Sequence, residues 1–281
     1  MNIVFRNSLY FKFINIRNIE RKTKMKKLLS IALILTMVFC FAACGQEATQ
    51  EAGDEIPTYT AVTEPTFPPF DSTDEEGNIV GFDMDLMDAI GADQGFNVEY
   101  VALEFDALIP ALQAGEADLI TAGMNAMDPD RQEKVDFSTT YYDSGLVCMV
   151  KSDNETITGI DSLKPEMKVA SQIGTTGADE AQALYDEGKI AEAVIINEFT
   201  TCVMQLQTGD VDAVIIDKPV AENFIKKNGD GIKIVGETLN AESYGFAVQK
   251  GNSELLEKVN TGLQNMVDNG TYDELYDKWF N

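Results

Sequence analysis

Apolar and polar residues follow two different periodicities along the chain, and the periodicity switches from one segment to the next. In Thr58–Val62 apolar and polar residues take turns, as in a half-buried strand. In the next segment apolar residues recur at helical spacing, at Phe82, Leu86, Met87 and Ile90. The switch repeats downstream in a predicted strand over 98–103, a helix over 106–113 and a strand over 118–121. This alternation predicts an α/β fold with a largely parallel sheet that is covered on both faces.

One nine-residue pattern occurs twice. Leu112–Ile120 and Leu206–Val214 each predict a helix end, a glycine cap and a buried strand, and the two copies start 94 residues apart. Two copies imply two similar α/β lobes rather than one continuous sheet. We expect lobe 1 to contain residues 57–144 and 242–281, and lobe 2 to contain residues 145–241. The chain then crosses twice between the lobes, so the crossing segments form a hinge and the lobes enclose a cleft.

Lobe 2 repeats the alternation of lobe 1. Its predicted elements are a strand over 168–170, a helix over 179–187, a strand over 193–197, a helix over 200–207, a strand over 213–217 and a helix over 220–227. Two further helices are expected over 253–269 and 271–280. Because they follow the second crossing, we expect them to cover lobe 1.

The segment from Met25 to Cys44 has the features of an export signal. Two lysines precede a short apolar run, which ends in the small residues Ala42 and Ala43. The apolar run is shorter than the roughly 20 residues of a membrane-spanning helix. Small residues before a cysteine resemble the lipobox of bacterial lipoproteins, in which the cysteine is acylated. Phe41 departs from the leucine usual at that place, so ordinary secretory cleavage near Ala43 is the alternative.

The N-terminal region is predicted to consist of three parts. Residues 1–24 resemble sequence upstream of the true start codon, and residues 25–43 form the signal peptide. Residues 44–56 are small and acidic and lack periodicity, which predicts a flexible tether. We therefore expect an exported protein that Cys44 anchors to the outer face of the cell membrane.

Charge and residue types exclude several functions. Without residues 1–43 the chain has 13 Lys and Arg against 46 Asp and Glu, a net charge of −33. Nucleic acid and anionic membrane surfaces are poor partners for such a protein. The sequence contains no histidine, which excludes a His-based catalytic triad, and its cysteines lack metal-ligand spacing. We expect no cofactor or metal; Cys148 and Cys202 could pair, although two buried free thiols are favoured.

Six strings, taken in order, resemble the polar amino-acid members of the bacterial solute-binding protein family, the receptors of ABC transporters. The strings are Thr66–Phe70, Gly81–Leu86, Phe105–Leu112, Val135–Ser138, Gly174–Gly177 and Gly270–Phe280. Their order and spacing cover essentially all of residues 57–281. The resemblance implies a two-lobed, type II periplasmic-binding-protein-like fold. It also implies a monomer that closes around one amino acid and delivers it to an ABC transporter permease.

An amino-acid receptor needs an arginine fork and backbone N–H groups for the ligand carboxylate. Arg131 lies five residues before Asp136-Phe137-Ser138 and resembles the family's carboxylate-binding arginine. By itself, an arginine in so polar a segment is more typical of a solvated surface. The preceding loop is implied to contact the ligand through Ala122, Gly123 and Asn125, but one extra residue leaves open whether Asn125 or Ala126 takes the place of the usual Ser or Thr.

The ligand ammonium needs a carboxylate, and Asp217 resembles the residue that supplies it. Asp217 ends a buried strand, at the sheet edge where open α/β folds bind ligands; its alternative role is to cap the next helix. Thr175 and Thr176 begin a helix and offer hydroxyl and N–H groups to an anion, or serve only as a cap. Phe67 and Phe105 match the family's aromatic pair around the ligand side chain, with an ordinary core as the alternative.

Glu64 and Gln172 are implied to face the far end of the ligand side chain. An anionic side chain would meet repulsion there, so we expect glutamine, arginine, lysine or histidine to bind better than glutamate or aspartate. If Glu64 points instead to solvent, Phe67 and Phe105 would favour apolar or small ligands.

Two other functions compete with amino-acid capture. A few proteins with this fold are exported cyclohexadienyl dehydratases, which act on prephenate or arogenate, and Glu64 could serve as the general acid or base of such an enzyme. A sensor module of a receptor is the second alternative, although no membrane-spanning segment or signalling domain follows Phe280. We expect a binding protein and not an enzyme.

Overall fold

The computed structural model describes residues 56–281, so the predicted signal peptide, Cys44 and most of the tether lie outside the described residues. Two five-stranded sheets organise this part of the chain, and we call the parts built around them lobe 1 and lobe 2. The strands of lobe 1, in spatial order, are β5 (Asn97–Ala102), β1 (Thr58–Thr63), β6 (Leu119–Ile120), β15 (Ala247–Gln249) and β7 (Val135–Phe137). Those of lobe 2 are β11 (Glu192–Ile196), β10 (Lys168–Gln172), β12 (Ala213–Asp217), β9 (Leu146–Lys151) and β13 (Ile232–Val235).

Both sheets are largely parallel, as the sequence predicted, and each contains one antiparallel strand. In lobe 1, β1 pairs in parallel with β5 and β6, but β15 runs antiparallel to β6 and β7. Lobe 2 repeats this arrangement, with β9 antiparallel to both of its neighbours. The reason is connectivity: β9 and β15 each follow a crossing between the lobes, and the chain enters the new sheet against the direction of its other strands.

Eight α-helices surround the two sheets in residues 56–281. Lobe 1 has α1 (Phe82–Gln94), α2 (Phe105–Ala114), α3 (Pro129–Lys134), α7 (Ser253–Asn269) and α8 (Thr271–Phe280), and lobe 2 has α4 (Thr176–Asp186), α5 (Phe199–Thr208) and α6 (Lys218–Asn228). The repeated nine-residue pattern forms the same unit in both lobes. Gly115 ends α2 and Gly209 ends α5, each in the left-handed conformation, and each is followed by a central strand. The prediction of two similar α/β units is thus confirmed.

Helices bury both faces of each sheet. Neighbouring residues of a strand point to opposite faces, and they belong to separate core clusters. In β1, Ala61 and Val62 divide in this way, and in β12 Val214 and Ile215 do the same. The sheets are therefore sandwiched between helical layers, which leaves only the ends of the strands free to build a site.

The C-terminal helices pack on lobe 1, as the sequence predicted. Val259 of α7 is fully buried in the same cluster as Leu86 and Ile90 of α1. In α8, the Trp279 indole donates a hydrogen bond of 2.6 Å to Asp85. Lobe 1 is thus assembled from the two ends of the described chain, while lobe 2 is continuous.

Two short strands connect the lobes. Strands β8 (Tyr142–Ser144) and β14 (Glu242–Tyr244) pair antiparallel, in a two-stranded sheet separate from the two large sheets. These strands are the two crossing segments. The exact lobe boundaries at 144/145 and 241/242 stay a prediction.

The segment between β1 and α1 forms a second small sheet. Its strands are β2 (Thr66–Phe67), β3 (Asp71–Thr73) and β4 (Ile79–Val80).

Cys148 and Cys202 are both free and buried, as favoured from the sequence, and burial raises the pKa of each thiol to about 12. No helix within residues 56–281 is long and apolar enough to cross a membrane.

Truncation of Val259 tests the packing of α7 on lobe 1. Val259→Ala is expected to lower the free energy of unfolding by about 1–3 kcal/mol, because it removes two buried methyl groups and leaves a cavity. Val267→Ala in the same helix is the matched control, since Val267 is 51 % exposed; its change should stay within about 0.5 kcal/mol. Urea denaturation followed by circular dichroism measures both. Equal effects of the two substitutions would show that α7 does not pack through Val259.

Candidate functional site

A small cavity lies between the lobes, where the carboxyl ends of the central strands meet. Nine of the eleven predicted site residues line it, together with one residue that was not predicted. The lining residues are Phe67, Phe105, Gly123, Asn125 and Arg131 from lobe 1, Gln172, Thr175, Thr176 and Asp217 from lobe 2, and Glu242 from β14. The cavity has a volume of about 10 Å³, close to the minimum for one water molecule. The lobes are therefore closed on each other, and any organic ligand must enter by separating them.

The lobe 1 loop after β6 is held by a buried carboxylate. Gly123 has a φ of 51°, and a Cβ there would lie 2.7 Å from Cε1 of the Phe67 ring, so glycine fits both the backbone and the close approach. Its N–H donates a hydrogen bond of 2.8 Å to Asp83, and the Tyr141 hydroxyl donates to the same carboxylate at 2.7 Å. Burial raises the pKa of Asp83 to about 7. Asp83 thus positions Gly123 at the cavity.

Arg131 is the only arginine in residues 56–281, and it is only 7 % exposed. It lies in α3, whose N-cap Asp128 accepts a hydrogen bond from the Arg131 N–H. Its guanidinium donates to the carbonyl of Asn125 at 3.4 Å in lobe 1 and to that of Gly174 at 3.0 Å in lobe 2. The guanidinium carbon also lies 5.4 Å from the Phe105 ring centroid, in cation–π range. The burial of Arg131 excludes the alternative that it is a solvated surface residue.

The electrostatic surroundings of Arg131 are anionic. Burial lowers the pKa of its guanidinium, and the carboxylates of Asp128, Glu242 and Asp217 oppose that shift. A buried cation flanked by carboxylates keeps its charge, and it can attract an anionic group into the cavity.

Helix α4 begins at the cavity. The Thr175 side-chain oxygen caps it by accepting from the Ala178 N–H at 3.2 Å, while its hydroxyl donates to the Gln172 carbonyl at 2.7 Å. The Thr176 hydroxyl instead donates to Glu242 at 2.6 Å. Thr175 is thus a helix cap whose side chain also lines the cavity, and Thr176 links lobe 2 to a crossing strand.

Asp217 does not cap the helix that follows it. Its side chain makes no capping hydrogen bond to α6, although it occupies the N-cap position. Its Oδ1 accepts a hydrogen bond of 2.5 Å from the Tyr244 hydroxyl of β14. Burial, and next the nearby charge of Glu242, raise the pKa of Asp217 well above its usual range. Asp217 is therefore directed into the cleft and needs a cation, a proton or both.

Glu242 is the cavity residue that the sequence did not predict. It is 2 % exposed, and its Oε1 accepts from Thr176 and from the Asn240 amide at 3.3 Å. Its Oε2 is buried without a hydrogen-bond partner. An acid at the boundary of a predicted crossing segment was the only available signal.

Two predicted residues, Glu64 and Ala122, do not line the cavity. Glu64 is buried behind it, where Thr66 donates to its Oε1 at 2.6 Å, and burial raises the pKa of its carboxyl group. It does not point to solvent. Gln172 does line the cavity, and its amide donates to the Asn197 carbonyl at 2.7 Å. Ala122 is buried next to Gly123 but does not itself line the cavity.

The residues left as alternatives differ in their position relative to the cavity. Asn125 lines the cavity, whereas Ala126 does not. Phe67 and Phe105 both line it, and the Phe67 ring centroid lies 5.8 Å from that of Phe199 in lobe 2. The aromatic pair therefore belongs to the cleft as well as to the core.

One guanidinium and two carboxylates face the same cavity. A ligand with an anionic and a cationic group would satisfy both signs of charge at once. In the described part of the chain, no group of three Asp, Glu or Cys side chains is placed to hold a metal ion. The charges that face the cavity complement those of a small zwitterion.

Comparisons with known proteins agree with this chemistry. The model for bacterial extracellular solute-binding proteins, family 3, matches residues 59–281. The chain is 32 % identical to the "Probable histidine-binding protein" of Neisseria gonorrhoeae, over 91 % of this chain and 96 % of that protein. It is 32 % identical to the arginine-binding extracellular protein of Bacillus subtilis, over 91 % and 98 %. A solved structure of an ancestral arginine-binding protein bound to arginine is 43 % identical, with a TM-score of 0.76, over 80 % of this chain and 98 % of that one.

The positioning role of Asp83 predicts a pH dependence of stability. The raised pKa means that the native state keeps a proton which the unfolded chain releases above about pH 4. The free energy of unfolding should therefore fall as pH rises from about 4 to about 7. Asp83→Asn cannot ionise, so its loss over this range should be smaller than that of the wild type, by on the order of 3 kcal/mol.

Urea denaturation at pH values from 4.5 to 8 measures this difference. Asp153→Asn, which changes an exposed carboxylate, is the control and should follow the wild type. A pH profile of Asp83→Asn that coincides with the wild-type profile would contradict a buried, ionisable Asp83.

Proposed function

The chain belongs to the bacterial extracellular solute-binding proteins, family 3, and from this we propose that it captures an L-amino acid with a polar or cationic side chain for an ABC importer. The observation that carries the proposal is the buried Arg131, placed in a closed cleft with the carboxylates of Asp217 and Glu242. A free α-amino acid has a carboxylate and an ammonium group, which complement the guanidinium and the carboxylates of the cleft. Charge complementarity therefore selects an amino acid over a simple acid or a simple amine.

Arg131 is proposed to bind the ligand carboxylate. Its planar fork matches a carboxylate in a bidentate way, and the carbonyls of Asn125 and Gly174 hold it in the cleft. The N–H of Gly123 already donates to Asp83, so Asp83 fixes this loop and leaves the ligand to other donors. The start of α4 adds the positive end of a helix dipole beside Thr176.

The specificity for a polar or cationic side chain is proposed to come from Gln172 and Glu64. Gln172 lines the cavity. Glu64 lies behind the cavity, so this region already contains a buried acidic side chain. Burying a second carboxylate beside Glu64 would add repulsion to the cost of desolvation. The arginine- and histidine-binding relatives fit a ligand of this class.

Capture is proposed to be a population shift between open and closed lobes. The closed cleft has almost no free volume, so an amino acid binds when the lobes separate around the crossing strands. The ligand then favours closure, because only the closed state lets both lobes contact it. Arg131 already bonds to both lobes in this way.

The family places the protein outside the cytoplasm. Within that location, we propose that Cys44 is acylated, that residues 44–56 tether the binding domain to the membrane, and that the protein acts as a monomer beside a permease. The small residues before Cys44 support the lipid anchor. The relatives are binding proteins, so the protein is not an enzyme, and a dehydratase activity is not favoured.

Removal of the arginine fork tests the proposed carboxylate site. Arg131→Ala is expected to weaken amino-acid binding by at least about 100-fold, since an unpaired buried charge costs roughly 3–5 kcal/mol. Lys134→Ala, in the same helix, removes the same charge from an exposed position and should bind as the wild type does. Isothermal titration calorimetry with the best amino acid from a thermal-shift screen measures both. Near wild-type affinity in a folded Arg131→Ala protein would remove Arg131 from the site.

Competition between amino acids tests the proposed specificity. Arginine, lysine, histidine or glutamine should displace a bound probe at lower concentration than glutamate or aspartate. Glu64→Gln keeps the shape of the side chain and its bond from Thr66, and it should narrow the preference for lysine over glutamate by about tenfold. Glu75→Gln changes an exposed carboxylate and serves as the control. Preferred binding of glutamate or aspartate by the wild type would reject the proposed ligand class.

A further inference from the structure

Glu242 carries an unexplained polar atom at the cavity. Its Oε1 is satisfied by Thr176 and Asn240, but its Oε2 is buried and accepts no hydrogen bond from residues 56–281. A buried carboxylate oxygen without a donor is costly, so a donor should belong there in the functional complex.

The hydrogen-bond donors around Glu242 are used elsewhere. The Arg131 fork donates to the carbonyls of Asn125 and Gly174, and the Tyr244 hydroxyl donates to Asp217. Thr176 and Asn240 reach Glu242 from lobe 2, and both donate to the other oxygen. A ligand donor, a water molecule or a proton on the adjacent Asp217 can therefore satisfy Oε2.

Glu242 lies close enough to Asp217 to raise the pKa of the Asp217 carboxyl group. Glu242 is among the groups that raise the pKa of Asp217, while Tyr244 and Arg131 favour its charged form. Because burial and the charge of Glu242 raise the pKa of Asp217, Asp217 holds a proton when no ligand cation is present. A ligand ammonium carries three N–H donors and a positive charge, and it can replace that proton.

We propose that Glu242 is a ligand-contacting residue which, together with Asp217, receives the α-ammonium group of the bound amino acid. This proposal rests on the proposed function and adds a specificity-determining residue to it. Binding of the ammonium group breaks the shared hydrogen bond between the two carboxyl groups, and the released proton passes to solvent. Affinity for the amino acid therefore falls as pH is lowered.

The place of Glu242 also gives the ammonium group a connection to the hinge. Glu242 begins β14, Tyr244 ends it, and both contact lobe 2 residues, Thr176 and Asp217. A cation held by this pair binds the crossing strand and lobe 2 together, whereas Arg131 links lobe 1 to lobe 2.

Glu242→Gln tests the proposal with little change in shape. Its carbonyl oxygen can still accept from Thr176, but an amide replaces the charged Oε2. The variant is expected to bind L-arginine about 10- to 100-fold more weakly, which corresponds to the loss of one charge-assisted hydrogen bond. Binding of the des-amino analogue, 5-guanidinopentanoic acid, should change by less than about twofold. Glu237→Gln, which changes an exposed carboxylate in the preceding loop, should leave both affinities unchanged.

Calorimetry in two buffers of different ionisation enthalpy provides a second measurement. The wild type should release protons when L-arginine binds at pH 7, and Glu242→Gln should release fewer. Without ligand, Glu242→Gln should melt at the wild-type temperature or above, because a buried charge is removed. If it does not fold, Glu242→Asp replaces it, and this variant should still discriminate between the amino acid and its des-amino analogue.

The outcomes separate this proposal from the proposed function. Equal weakening of both ligands, or unchanged affinity for L-arginine, would overturn the role of Glu242 and leave amino-acid capture standing. If the wild type prefers another amino acid, the same comparison is made with that ligand and its des-amino analogue. If the wild type binds no α-amino acid, the proposed function itself fails, and the role of Glu242 fails with it.

Discussion

The rest of the structure depends on one positive charge that is buried between the two lobes. The sole arginine of residues 56–281 lies in the cleft and donates to a carbonyl in each lobe. Opening the lobes breaks one of these bonds and exposes the guanidinium to water, whereas closing them requires anionic partners in a medium of low polarity. Asp217 and Glu242 supply such partners, but they introduce a surplus of negative charge. The cleft is thus stable when closed only if a proton or a ligand cation balances that surplus.

The exterior carries the same sign of charge as that surplus. Without residues 1–43, acids outnumber bases by 33, and an anionic surface of this size attracts cations from a distance of about one Debye length. The long-range electrostatic field and the buried carboxylates therefore both attract a cationic ligand. In the proposed complex, the buried guanidinium attracts the carboxylate of the amino acid only at close range. Discrimination between ligands of opposite side-chain charge would thus start before contact.

The sequence predicted those parts that follow from local patterns. Helical spacing and the repeated pattern around Gly115 and Gly209 place the elements, and the end of a buried strand places Asp217 at the cleft. Gln172 was placed there by resemblance. The antiparallel strands β9 and β15 were missed as sheet neighbours because their pairing depends on partners far away in the chain. Glu242 was missed for the same reason: it stands in a three-residue strand without periodicity, and its burial is created by lobe 2. Glu64 was placed at the cleft by resemblance, but the packing of Gln172 and Thr66 sets it behind the lining.

The pairing of the crossing strands has a mechanical consequence. Tyr142, Asp143 and Ser144 face Tyr244, Ser243 and Glu242 in one antiparallel ladder. Sliding this ladder by one residue would turn each side chain to the opposite face and pull Glu242 and Tyr244 out of the cleft, so the ladder resists shear. A ribbon of only two strands has no further neighbours to oppose its twist. The connection is therefore stiffer in translation than in torsion, so the proposed opening of the cleft would be a rotation of one lobe against the other.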